Sequence, residues 1–318
     1  MNASWGAEMQ YFEYQGHRLA YTDLGSSDRP PFILIHGQLL SQFMHQPLAR
    51  ELADAGHRVI TIDLLGHGAS DRPTEMWRYS MTRFAEQVLG LMDHLGLDRA
   101  VVGGTSLGAN VSLEFGVLAP DRAAALVVEM PVLDAGVYGA VVAFTPLLSA
   151  LLYARPVVRA LGFAARLVPR WALPFLGNVL LDTMRQDHVS SPAVLQGLFL
   201  GRIAPAPDLR AQLPMPVLVI GHHHDPIHPY ADAAMLAREL PQGHLVEATS
   251  ILELRLHPER LTEEIGQFLD RVPAQPARRP RPPRRVAAAS PPRASTRTKP
   301  GPARQPRATT RTASAQRR

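Results

Sequence analysis

The chain has 318 residues, 46% of them hydrophobic, and no cysteine. That length can bury a large core, and the missing cysteine excludes disulfides, thiolate metal sites and a cysteine nucleophile. The net charge of +5 averages two unlike parts: residues 273–318 carry 13 Lys or Arg and no acid, whereas residues 1–272 carry 20 basic and 28 acidic residues, a net of −8. A basic tail on an acidic body suggests an electrostatic tether, not a nucleic-acid groove built into the fold.

The opening stretch MNASWGAEMQ has neither the basic start nor the apolar core of a signal peptide, so a cytoplasmic location is expected. From Tyr11 to Thr22, two short alternating runs flank Gln15-Gly16 and read as an edge β-hairpin. Pro31 to Ile35 is a continuous apolar strand, of the kind buried on both faces of a parallel sheet. A helix in QPLARELADAG leads to a strand over Arg58 to Ile62 that ends at Asp63, then to the Gly-rich loop LLGHGASDRP. Ser80 or Thr82 can cap the helix in FAEQVLGLMDHLG. Strands follow at Ala100 to Val102 and Ala125 to Val128, with a helix from Ala109 to Leu118 between them.

Between Asp134 and Leu213 no strand is predicted, only apolar helical segments cut by Pro146, Pro156, Pro169, Pro174 and Pro192. Val137 to Ala154 is apolar enough to suggest a membrane span. Pro146 is expected to split it, however, and a span needs about 20 residues, so a buried or interfacial helix pair is predicted and no transmembrane segment. The sheet resumes at Pro216 to Gly221, followed by HHHDPIHP, a helix from Tyr230, a last strand at Leu245 to Ala248 and a last helix from Pro258 to Leu269. The Pro/Arg-rich residues after Val272 are expected to be disordered, because they have too little apolar surface to bury. Their Arg278-Arg279 and Arg284-Arg285 pairs could bind anionic surfaces non-specifically.

Alternating strands and helices imply an α/β architecture with a parallel sheet and right-handed crossovers, in which sites lie beyond the carboxyl ends of the strands. His36, Asp63, Ser106 and Glu129 all fall at such ends. The centre of the pattern is Gly104-Thr105-Ser106-Leu107-Gly108, a G-x-S-x-G between strand and helix. This turn holds a serine in a strained conformation with its hydroxyl raised above the sheet, and the glycines clear the crowding of strand on helix.

The order His36-Gly37, DLLGHGASDRP, GTSLG after a strand, an insertion, then PVLVIG…DPIHP resembles the α/β-hydrolase fold family in its serine-nucleophile small-molecule branch, from Tyr11 to Leu269. The resemblance implies a core of residues 1–133 and 214–272, a helical cap at 134–213 and a tail at 273–318. It makes Ser106 the nucleophile, the amides of Leu107 and Gln38 the oxyanion donors, and Asp225 the acid, with Glu129 as a second place for that acid. A serine argues against the dehalogenase and epoxide-hydrolase branches, which attack through aspartate. His36 and His67 belong to the family's loop patterns as structural residues, and Asp63 to the bracing of the GHGAS loop.

One residue departs from the pattern. The family's histidine base sits about eight residues before the proline of the final helix, where this chain has Ser250. Either another histidine takes the role, His228 ahead of His257, or the fold has lost hydrolysis and binds a ligand only; His244 lies at the wrong end of the sheet. His222, His224 and Asp225 could together offer metal ligands, but a hydrophilic loop leaving a parallel strand accounts for the same residues, and no metal or cofactor is implied. The expected activity is hydrolysis of a small apolar ester or related acyl compound. Phe144, Leu147, Leu148, Leu151, Leu152, Phe163, Trp171 and Phe175 of the cap are expected to favour apolar ligands.

Overall fold

The computed structural model describes residues 8–274. Readings of the first seven residues and of the basic tail lie outside the described residues. Eight strands form one sheet: β1 (Gln10–Tyr14), β2 (His17–Leu24), β3 (Phe32–Ile35), β4 (Val59–Ile62), β5 (Ala100–Thr105), β6 (Ala123–Glu129), β7 (Val217–His222) and β8 (Gly243–Ala248), in the spatial order β1-β2-β4-β3-β5-β6-β7-β8. The hairpin is antiparallel and pairs β2 antiparallel to β4; every other pairing is parallel. Gln15 and Gly16 both have positive φ, as a tight two-residue hairpin turn requires.

Among the described residues, eleven α-helices accompany the sheet: α1 (Gln46–Asp54), α2 (Met81–His94), α3 (Leu107–Leu118), α4 (Gly136–Tyr153), α5 (Arg155–Leu167), α6 (Phe175–Arg185), α7 (Ser191–Leu200), α8 (Pro207–Arg210), α9 (Tyr230–Glu239), α10 (Glu253–Leu256) and α11 (Glu259–Arg271). Alternation along each strand divides the core between the two sheet faces. Ile33, Ile35, Val217 and Val219 pack with α2, α3 and α9, while Phe32, Leu34, Leu218 and Ile220 pack with α1 and α11. Ser80 caps α2 by accepting from Arg83 N at 3.2 Å, so of the two predicted caps the serine is used.

All helices from α4 to α8 lie between β6 and β7, with no strand among them. Asp232 on α9 ties the start of α4 to the core, accepting from Leu133 N, Ala135 N and Gly136 N at 3.0, 3.1 and 2.8 Å. The expected break at Pro146 does not occur. Pro146 is exposed inside one continuous 18-residue helix, where the backbone bond it forfeits is on the solvent side. The chain breaks instead at Ala154, ahead of Pro156 in the first turn of α5. By length and composition alone, α4 could cross a membrane, though its inner stripe packs on the core.

Candidate active site

Ser106 stands between β5 and α3 with φ 55° and ψ −107°. That left-handed conformation costs a non-glycine residue about 1–3 kcal/mol. Its amide donates to the Glu129 carbonyl at 2.9 Å and its carbonyl accepts from Asn110 N at 3.1 Å, so the turn is held from both sides. A side chain at Gly104 or Gly108 would overlap the carbonyl oxygen of Ile35, which is why both positions are glycine.

Asp225 and His228 come from the loop between β7 and α9. The Asp225 carboxylate accepts from Ile227 N at 2.8 Å and His228 N at 2.9 Å through Oδ1, and from His228 Nδ1 at 2.8 Å through Oδ2. Burial works against its charge, but His228 and the two amides outweigh burial and hold the carboxyl below its ordinary range. A carboxylate only accepts, so Nδ1 carries the proton and Nε2 presents a lone pair. That lone pair meets Ser106 Oγ at 2.9 Å. The hydroxyl, the imidazole and the carboxylate thus form one continuous chain of hydrogen bonds.

Gln38 lies in the turn after β3, where Leu40 N donates to Gly37 O at 3.1 Å and Leu39 takes φ 55°. Neither Gln38 N nor Leu107 N, the first amide of α3, has a partner among the described residues. Both residues line one small cavity of about 60 Å³ together with Ser106. Its remaining wall is largely apolar, from Met81, Val132, Phe144, Leu195, Leu198 and Phe199. The Gln38 side-chain amide is buried there without a partner.

Of the aromatic and aliphatic residues expected to line the cavity, Phe144 alone does so. Leu147, Leu148 and Leu151 pack behind it with Leu39 and Leu195. Phe175 stacks near Phe43, with centroids 5.4 Å apart. Phe163 and Trp171 face solvent, because α5 packs on α4 and α6 and does not reach the cavity.

The other strand-end residues are braces. His36 accepts from Leu64 N through Nε2 at 3.1 Å and approaches the Gly37 carbonyl with Nδ1 at 2.8 Å, so it is neutral, and burial lowers its pKa. Asp63 accepts from Gln42 N, Gln42 Nε2 and Ala69 N at 2.7, 3.0 and 2.9 Å, bracing the GHGAS loop. Glu129 faces away from His228: its Oε2 meets Arg255 at 2.9 Å and accepts from Thr105 Oγ1, and its Oε1 lies 3.3 Å from His222 Nε2. The clustered histidines go to separate partners. His222 turns to Glu129 and Ser250, His223 stacks on Tyr230, and no group of three metal-ligating side chains occurs among the described residues. His257 and His244 are exposed on α10's end and on β8. Arg255 gives no local sign in the sequence of the carboxylate it meets, because Glu129 lies 126 residues away on β6.

A parallel sheet with helices on both faces, a strained serine between strand and helix, and an imidazole–carboxylate pair at the strand ends define a recognisable class. The chain belongs to the alpha/beta hydrolase fold family, whose pattern matches residues 30–250. Over 111 residues it is 34% identical to a haloalkane dehalogenase of Mycolicibacterium paratuberculosis, a stretch that spans 35% of this chain and 37% of that protein. The chain thus covers little more than a third of that relative's length. Among solved structures, it is similar to a hydrolase from Pseudomonas aeruginosa PA01, with TM-score 0.68 and 22% identity over 82% of this chain and 98% of that one. It is also similar to a thermophilic esterase from Thermogutta terrifontis, with TM-score 0.63 and 26% identity over 84% and 99%.

Proposed function

We propose that this protein is a serine hydrolase that cleaves a small apolar ester or related acyl compound through an acyl-enzyme. The observation that carries the reading is the 2.9 Å approach of His228 Nε2 to Ser106 Oγ, with Asp225 behind the ring. A ligand-binding protein without hydrolysis has no need of a base on its serine, so this contact favours the enzyme.

In the proposed reaction Ser106 Oγ attacks the substrate carbonyl while its proton passes to His228 Nε2. Asp225 keeps Nδ1 protonated and stabilises the imidazolium. The carbonyl oxygen becomes an oxyanion that accepts from the amides of Gln38 and Leu107, the latter at the start of a helix, where the backbone dipoles favour negative charge. Collapse expels the alkoxide, which takes the proton from Nε2. Water, deprotonated by the same nitrogen, then attacks the acyl-enzyme and releases the acid. Helices α4 and α7 serve as the lid. A cavity of about 60 Å³ holds little more than a short acyl group, far below the roughly 300–1,000 Å³ of sites for drug-sized ligands.

The test is labelling of the full chain with a fluorophosphonate probe. Labelling is expected in the wild type, absent in Ser106→Ala, and slowed at least a hundredfold in His228→Ala and Asp225→Ala. A folded wild type that resists the probe and hydrolyses no short aryl ester would overturn the proposal.

A further inference from the structure

Exposed apolar side chains normally occur singly on a protein surface. Among the described residues, nine of the twenty exposed large hydrophobic side chains fall within residues 138–171. Tyr138, Val142, Tyr153, Phe163, Leu167 and Trp171 are all exposed, with Phe163 at 63%, Leu167 at 68%, Tyr153 at 86% and Trp171 at 87%. They belong to α4, α5 and the turn after α5, on the side away from the Ser106 cavity. Over the same stretch, residues 135–181, the chain has four arginines and no Lys, Asp or Glu. Arg155, Arg159 and Arg166 recur at i, i+4 and i+11 of α5, forming one stripe, and Phe163 and Leu167 form a neighbouring one.

The charges in that stripe are available. Arg155 and Arg159 are exposed and have no partner among the described residues. Among the described residues, Arg166 touches only the carbonyls of Arg185 and Gln186, and of these four arginines only Arg170 is paired with a carboxylate, Asp182 at 2.9 Å. Residues 1–272 as a whole carry a net charge of −8, so an anionic surface would repel the body and attract this face. A second copy of the chain fits less well, since a two-fold contact through this face would set the arginine stripe against itself.

We propose that the outer face of α4 and α5, with Trp171 beyond them, docks onto an anionic lipid bilayer. Aromatic and aliphatic side chains beside a row of arginines are the composition of a helix lying in the interface plane. The helix lies on the membrane and does not span it. Spanning would put the whole circumference of α4 in lipid, whereas its inner stripe is engaged: Ala140 and Phe144 line the Ser106 cavity and Leu151 packs with Leu39 and Leu195. The docking stands independently of whether Ser106 hydrolyses anything.

The test uses the full chain, with its basic tail, and vesicles of phosphatidylcholine alone or with about a third phosphatidylglycerol, at about 0.15 M salt. Sedimentation should recover the wild type with the anionic vesicles. The double variants Phe163→Asp/Leu167→Asp and Arg155→Glu/Arg159→Glu should each bind about tenfold more weakly or worse. Brominated lipid in the anionic vesicles should quench tryptophan emission in the wild type and not in Trp171→Phe, a reading that needs no disruptive substitution. Three results would overturn the proposal: no binding by the wild type; binding unchanged in both double variants, which would assign it to the tail; or a solution dimer that Phe163→Asp/Leu167→Asp dissociates while neither form sediments with vesicles.

Discussion

The backbone carbonyl of Ser250 accepts a hydrogen bond from His222 Nδ1 at 2.7 Å. Ser250 is where the family pattern puts its base, and in this chain other groups meet near that loop and the Ser106 turn. Arg255 reaches from α10 to Thr105 at 2.8 Å and Glu129 at 2.9 Å, directly behind the Ser106 turn. In the proposed mechanism the base comes instead from the loop that already holds Asp225.

His228→Ala should therefore lower kcat/KM on a short aryl ester by about 10³-fold or more. Adding Ser250→His should not restore it, because Ser250 is exposed and its loop is held by His222 and Arg255. Recovery of most of the activity in the double variant would show that the ordinary base position is still usable.

Asp225→Asn should cost kcat about 10³ to 10⁴-fold while changing KM little, since the amide can donate to the imidazole and favour the wrong tautomer. Steady-state kinetics checks it, and a change confined to KM would mean that Asp225 shapes the cavity and does not orient the base.

The Glu129 cluster gives stability a two-sided pH dependence. Burial opposes the Glu129 charge, but Arg255, His222 and Thr105 outweigh it and keep the carboxyl well below the usual carboxylate range. That contribution is present above the unfolded pKa of about 4.3 and lost as pH falls through the folded one. His222 has the opposite sign. Burial lowers its pKa, yet the Glu129 carboxylate prevails and raises it, so its contribution is full below about 6.5 and lost as pH rises through the folded value. Wild-type Tm should fall on both sides of a plateau, and in Glu129→Gln the alkaline loss should vanish. Parallel Tm profiles for the two proteins between about pH 4 and 9 would refute the coupling. Arg255→Met, which strands a buried carboxylate, should cost about 3 kcal/mol or more near pH 7.

Phe144→Ala should shift ester preference toward longer acyl chains, because Phe144 is one of two aromatic side chains, with Phe199, in the wall of a cavity of only about 60 Å³. Relative kcat/KM along a series of p-nitrophenyl esters measures this, and an unchanged chain-length profile would mean that the acyl group lies elsewhere.

Much of the fold was legible, since hairpin, strands and flanking helices each have their own local pattern. The strained Ser106 turn was legible for the same reason: Gly104, Ser106 and Gly108 act within five residues of each other. Choosing among the histidines was harder, since it depends on where the Asp225 loop doubles back, and only the three-residue spacing to His228 hinted at that. Arg255 and the true use of Glu129 were hidden because they meet across 126 residues of chain. The inner and outer faces of the insertion were hidden too. Phe144 and Phe163 look alike in sequence, and only the stacking of α5 outside α4 decides that one lines a cavity and the other meets solvent.

Asp225 and His228 share one turn, with the Oδ1 of the first accepting from the backbone amide of the second. Their relative placement is therefore set by four consecutive residues, with no need for two distant loops to dock in register. In the proposed mechanism the last strand and the C-terminal helices have no base to supply. In engineering terms, under that mechanism the segment after β8 becomes a place where insertions, fused domains or sequence drift meet only the demands of folding, while a change in length between Asp225 and His228 would break the turn that joins them.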